Sequence, residues 1–206
     1  MHVFHYHLVT SELRELEARY VGKLGFELVA RYGRIGDEHI AAEAGASWEL
    51  LDRDGFKLRL TELQRGAVNV VVQPGHWRIP RVDHLGIALD EEQFHEVLER
   101  AVKGNLRVQE HGGRRTFVAT GAGYRLEIHP PRDWIDDLLD ARETLQLTEL
   151  QLRADDPAAK ACALTDLLGL EAAEDTVQIG ETVITFLPEG PEGRPELYGE
   201  RFGEGR

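Results

Sequence analysis

Asp83-His84-Leu85-Gly86-Ile87-Ala88-Leu89-Asp90 is the stretch whose reading decides the fold. Its apolar residues alternate with polar or small ones, which is the period of a half-buried strand. Leu85, Ile87 and Leu89 share one face; His84, Gly86 and Ala88 share the other. Asp90 and Gln93 then make a capping box for a helix. Phe94, Val97, Leu98, Ala101 and Val102 give that helix one apolar face, and Gly104 ends it. Strands follow at 106–109, 116–119 and 124–129. The unit is therefore strand, helix and three strands.

The same order of signals occurs upstream. His5 opens an alternating run, and Ser11 is placed to cap a helix carrying Leu13, Leu16, Tyr20 and Leu24. Gly25 sits where a helix end wants a left-handed residue. Phe26 to Tyr32 reads as a strand, and residues 33–45 as a long loop. Trp48–Leu51 and Phe56–Thr61 read as a hairpin around Asp54-Gly55, and Val68–Val72 as one more strand.

Downstream, Leu145–Arg153 opens a third pass. Asp156-Pro157 is a cap followed by a good first helical residue. Leu164, Leu167 and Leu168 lie on the helix, Gly169 follows, and a hairpin turns at Gly180-Glu181. One strand is missing from this pass. Leu24 follows His5 at the interval at which Leu168 follows Glu149, so Glu149 takes the His5 position. An internal repeat explains the agreement. The expected fold class is α+β: repeated βαβββ modules at 1–74 and 80–131, a shortened third at 144–188, and a flexible tail at 189–206.

Bulk properties narrow the partners. A chain of 206 residues with 42% hydrophobic and 30% charged residues can bury a sizeable core. Its net charge of -13 opposes a nucleic acid or an anionic membrane as partner. Cys162 is the one cysteine, which excludes an intramolecular disulfide and fits a reducing, cytoplasmic setting. Among Ala161, Ala163 and Leu164 it reads as a small buried residue. The N-terminus carries His2, His5 and His7, and no signal peptide is read there.

Alternation also sorts the polar residues. His5 and His7 share a face in the first unit, and Arg125, Glu127 and His129 share one on the last strand of the second. If the first two units pair, His5, His84 and Glu127 point into one concavity. Two histidines and a carboxylate fill one face of a metal and leave its other positions open. His7 and His129, each two positions beyond a proposed ligand, are the candidate acid–base residues. A hydrogen-bonded pair of His84 and Glu127 without metal is the plainer alternative. His39, His76, His95 and His111 have no constellation around them.

His5 with Leu24-Gly25-Phe26, the 83–90 stretch, and Gly123-Tyr124-Arg125-Leu126-Glu127 together resemble the vicinal oxygen chelate superfamily. That group includes glyoxalases, bleomycin-resistance proteins, extradiol dioxygenases and fosfomycin-resistance thiol transferases. The resemblance covers residues 1–131 well and 145–188 less well. It implies two modules paired into a cupped mixed sheet with a divalent metal inside, Fe(II) or Mn(II) first, Zn or Ni next. Matching Gly55–Arg59 to Gly123–Glu127 puts Arg59 at the glutamate place of the first unit, and Thr185 takes it in the third. The further carboxylate of glyoxalase-like sites is thus missing, and the His, His, Glu set resembles extradiol and fosfomycin-resistance sites. Arg59 there suits an anionic substrate or a carboxylate partner. The expected function is a metal-dependent enzyme acting on a small oxygenated molecule. The alternatives are a thiol transferase or lyase on the same scaffold, and a metal-free binder of small drugs. An unpaired third unit asks for a homodimer or for docking on the first pair.

Overall fold

The computed structural model describes residues 1–132, 135–137, 145–171 and 173–204. Thirteen strands make one curved, unclosed sheet. β1 (His2–Thr10) pairs in parallel with β5 (Val68–Pro74) and antiparallel with β6 (Arg81–Ala88). β5 leads through β4 (Lys57–Arg65) and β2 (Glu27–Ile35) to the edge strand β3 (Glu38–Ala42). β6 leads in parallel to β9 (Arg125–His129), then through β8 (Arg115–Ala119) to β7 (Val108–His111). In the third unit, β10 (Leu145–Arg153) lies between β12 (Thr182–Leu187), parallel to it, and β13 (Glu196–Glu204), antiparallel. β11 (Thr176–Ile179) flanks β12, and β13 meets β6 at Glu196 and Arg81.

The alternation read from sequence explains how helices cover this sheet. Leu85 and Ile87 pack with Val97 and Ala101 of α3 (Glu91–Lys103). Tyr6 and Leu8 pack with Leu13, Leu16 and Tyr20 of α1 (Leu13–Leu24). Leu150 and Leu152 pack with Ala161, Leu164 and Leu168 of α4 (Pro157–Leu168). These sets form one continuous apolar cluster, each large side chain worth about 1.5–3 kcal/mol of burial. α4 packs on α3, β11 and β12 of the same chain.

The β1–β6 pairing carries two bulges. Phe4 is the extra residue of β1, between the pairs Val3–Ile87 and His5–Gly86. Asp83 is the extra residue of β6, between His7–His84 and Leu8–Val82. A shift of 79 positions carries His5 onto His84 and Phe4 onto Asp83. β10 and β13 repeat the arrangement, with Thr148 and Tyr198 as the extra residues. β13 thus takes the place beside β10 that β6 takes beside β1. Glu149 occupies the His5 place, as the repeat requires.

Several local expectations are corrected. Residues 189–206 are not a loose tail over the described part: β13 runs from Glu196 to Glu204. Their polar side chains conceal a backbone that is bound on both sides of the turn. Gly190 donates to the Ala154 carbonyl, Leu197 donates to that of Pro80, and Val82 donates to that of Pro195. Lys160 Nζ donates to the Gly193 carbonyl at 3.1 Å. Leu197 is buried and Phe202 packs edge-on against Phe26. The loop at 33–45 contains the β2–β3 hairpin, turning at Gly36 with φ of 59°. Trp48–Leu51 is not a strand but most of α2 (Trp48–Arg53). Ser47 caps it by accepting from Leu50, and Trp48 Nε1 donates to Glu17. Ser11 does not cap α1, because its backbone N–H goes to Trp77 and its hydroxyl to Glu12. Cys162 is exposed, on the outer face of α4.

Leu197→Ala should cost about 2–3 kcal/mol in denaturant unfolding, as expected for a core leucine. A chain ending at residue 188 should melt at a clearly lower temperature than the full chain. Unchanged melting of both would show that β13 is not part of the folded unit.

Candidate metal centre

The site sits where β1, β6 and β9 lie side by side. His5 faces Gly86 across the β1–β6 pair, and Gly86 faces Glu127 across the β6–β9 pair. A Cβ at position 86 would lie 2.6 Å from the His5 Cβ, so only glycine lets the His5 ring lie over β6 toward His84. His5 Nε2 is 3.1 Å from His84 Nε2, and His84 Nε2 is 3.0 Å from Glu127 Oε2. All three side chains are buried.

The outer partners decide what these atoms are. His84 Nδ1 lies 2.8 Å from Asp83 Oδ2, a carboxylate that only accepts. Burial alone would raise the Asp83 pKa, but the His84 and Arg125 hydrogen bonds outweigh it and hold Asp83 ionised. Arg194 adds a second ion pair at 2.6 Å. His5 Nδ1 lies 2.7 Å from Asn69 Oδ1. Asn69 spends its amide hydrogens on Glu62 and Gln64, so its oxygen is the atom that faces His5. Both rings therefore donate from Nδ1 and turn Nε2 inward. Burial, then the neighbouring His84, pushes the His5 pKa down to about 3, so this ring is neutral.

Glu127 is set up in the same way. Its Oε1 takes His129 Nε2 at 2.9 Å and Arg115 Nε at 3.4 Å. Burial would raise its pKa; the bonds from His129 and His84 outweigh burial and keep it a carboxylate. Oε2 is left facing the histidines. Three possible ligand atoms, His5 Nε2, His84 Nε2 and Glu127 Oε2, thus come together with their other sides already bonded. A proton on His84 Nε2 can serve Glu127 or His5. A divalent cation serves all three, and neutral imidazoles with a carboxylate are what such an ion takes. The donor set fits a metal.

His7 and His129 part company here. His7 is buried, its ring stacks edge-on to His84 at 4.7 Å, and its Nε2 has no hydrogen-bond partner among the described residues. Burial, then His84 and His5, holds it well below the usual histidine range. His5, His7 and His84 also offer nitrogens within 4.8 Å of one another. His129 is fully buried behind Glu127 and is not among the residues that line the cavity. Its geometry suits holding the carboxylate rather than touching a substrate.

The cavity in front of these residues measures about 960 Å³. Sequence alternation missed part of its wall. Asp83 and Phe4 reach the histidine side because each is the extra residue of a bulge, which period two cannot foresee. Asn69 is the parallel-strand partner of His5, a register that no local pattern reveals. His111, read as isolated, lines the cavity and lies edge-on to Phe117 at 5.5 Å. The glutamate place of the first unit is corrected from Arg59 to Val71. Val71 faces His7 as Glu127 faces Gly86, whereas Arg59 lies on β4. Thr185 does hold that place in the third unit, opposite Gln151.

No family model and no curated protein matches this sequence. Solved structures do. A Mn(II)-bound glyoxalase from Novosphingobium aromaticivorans superposes with a TM-score of 0.56 at 12% identity, over 95% of this chain and 63% of that one. A mutant 4-hydroxymandelate synthase from Streptomyces coelicolor gives 0.57 at 13%, over 91% and 62%. BphC, a halotolerant catechol dioxygenase, gives 0.56 at 12%, over 94% and 67%. The chain spans less than two thirds of the first two. With the strand order, bulges and histidine placement above, these likenesses establish the fold of the vicinal oxygen chelate superfamily.

Proposed function

We propose that the protein is a metal-dependent enzyme that holds one divalent ion on His5, His84 and Glu127 and acts on a small oxygenated substrate. The observation that carries this reading is the convergence of three possible ligand atoms whose outer partners are all committed. An ion bound there would act as a Lewis acid toward one or two substrate oxygens. Fe(II) and Mn(II) suit this nitrogen and oxygen set best, and Zn or Ni also fit it. The likeness to dioxygenase and glyoxalase structures supports the reaction class: cleavage or rearrangement beside vicinal oxygens.

The chain's own residues have separate tasks. Asp83 and Asn69 fix the two ring tautomers and aim the lone pairs. His129 and Arg115 hold one Glu127 oxygen so that the other stays turned inward. His7, neutral and unpartnered at Nε2, accepts a substrate proton at that atom and returns it later in the reaction. Phe4 and Phe117 wall the cavity.

His84→Ala and Glu127→Ala should each abolish the metal content of protein purified without chelator, with circular dichroism unchanged. Full metal content in both variants would refute the site. Metal-free wild-type protein that nonetheless takes up small aromatic ligands would favour a binding protein.

His129→Phe should weaken metal affinity about 10–100-fold, the usual effect of losing a group that orients a ligand. His7→Phe should keep the metal and slow turnover of whichever substrate a panel of catechols, epoxides and hemithioacetals identifies. Loss of metal in His7→Phe would instead make His7 a ligand.

A further inference from the structure

Asp83 has more claimants than a carboxylate that merely orients a histidine needs. Its Oδ2 accepts from His84 Nδ1 at 2.8 Å and also from Arg125 Nη2. Its Oδ1 faces Arg194 Nη2 at 2.6 Å. The two arginine side chains are each 36% exposed, and ion pairs so close to water add little to stability. A second arginine on Asp83 therefore needs a reason beyond fastening the fold.

Arg194 is aimed by its backbone. The carbonyl before it, of Gly193, accepts from Lys160 Nζ at 3.1 Å, and the carbonyl after it, of Pro195, accepts from the Val82 N–H at 2.9 Å. Pro195 also confines residue 194 to extended conformations. Gly193 lies so close to Gly123 that a Cβ at 123 would be 2.1 Å from the Gly193 oxygen. The guanidinium itself lies over the Trp77 ring at 5.7 Å. The segment between β12 and β13 thus delivers one cation to one oxygen of Asp83.

The need for it comes from Arg125. That residue is the parallel-strand neighbour of His84, and its guanidinium lies over Phe117 at 4.8 Å. It shares Oδ2 with His84. A guanidinium facing a carboxylate favours the two-pronged arrangement, one N–H to each oxygen. Were Oδ1 open, Arg125 would take both oxygens and turn Oδ2 away from the His84 ring. Arg194 already occupies Oδ1.

We infer that Arg194 is a positioning residue for the candidate metal centre: by holding Asp83 Oδ1 it denies Arg125 the second oxygen and keeps Oδ2 on His84 Nδ1. The effect on the His84 ring stands by itself, and only its consequence for a bound ion rests on the metal-enzyme reading. The third unit then has a task at a site to which it gives no ligand. It supplies the segment that keeps the His84 proton on Nδ1 and Nε2 turned inward.

The test compares full-length wild type, Arg194→Gln, Arg194→Lys, Arg125→Gln and the variant carrying both glutamines. Calorimetry reads Mn(II) affinity. Nitrogen-15 NMR of the metal-free proteins reads the slowly exchanging Nδ1–H of His84, identified by its loss in His84→Ala. Arg194→Gln should weaken Mn(II) about tenfold, the lower end of what losing an outer partner of a metal ligand costs, and should lose the Nδ1–H signal. Arg194→Lys should keep part of both. The doubly substituted chain should recover to the level of Arg125→Gln, because the competitor for Asp83 is gone. Leu197→Ala, which loosens the same strand without touching Asp83, should retain the signal. Arg194→Gln without effect on the signal, a double variant no better than Arg194→Gln, or loss of the signal in Leu197→Ala would overturn the inference. Wild type that takes up no Mn(II) would count against the metal reading alone, since the His84 signal still decides the role of Arg194.

Discussion

Two imidazole nitrogens and a carboxylate oxygen turned toward one another in a buried pocket are the constraint on which the site depends. Four further groups keep them aimed. Asp83 and Asn69 hold the outer nitrogens of His84 and His5, while His129 and Arg115 hold the outer oxygen of Glu127. Asp83 is in turn held by Arg125 and Arg194, the latter from the segment that leads into β13. The C-terminal strand is thereby tied to the candidate site, although it contributes none of the three converging side chains. A core that needed only stability would have put apolar residues here, since a buried polar network is no better than hydrocarbon at holding a fold together.

The internal symmetry explains why one centre is built and not several. The β1–β6 pair and the β10–β13 pair carry bulges at matching places, so both are shaped to turn side chains into a concavity. In the first pair those places hold His5 and His84. In the second they hold Glu149 and Gly199, and Arg201 closes on Glu149 at 3.0 Å. That ion pair, with Gln151 also bonded to Glu149, satisfies locally what a metal would otherwise satisfy. The glutamate place is likewise filled once: Glu127 in the second unit, Val71 and Thr185 in the others. Among the described residues the histidines that could hold a metal gather at the first pair.

Much of this was legible because strands and helices have different periods. The alternation at 83–90, the capping box at Asp90 and Gln93, and the glycines at helix ends place the repeat and the histidine face correctly. Glu149 at the His5 place was recoverable from spacing alone. What was not legible depends on long-range register or on departures from the period. Phe4 and Asp83 are extra residues of bulges, so alternation assigns them to the wrong face. Asn69 becomes a partner of His5 only when β5 adds in parallel to β1. The 189–204 segment reads as a tail because its side chains are polar, whereas its order comes from backbone pairing with β10. Trp48 reads as a strand residue because its anchor, the buried Glu17–Arg31 pair, lies far off in sequence.

The most direct test is a crystal grown with Mn(II) and measured at the manganese absorption edge. The account requires one strong anomalous peak about 2.1 Å from His5 Nε2, His84 Nε2 and a Glu127 oxygen, the distance usual for such ligands. His5 Nδ1 and His84 Nδ1 should still face Asn69 and Asp83. No peak between β1, β6 and β9, with His84 remaining hydrogen-bonded to Glu127, would contradict the central claim.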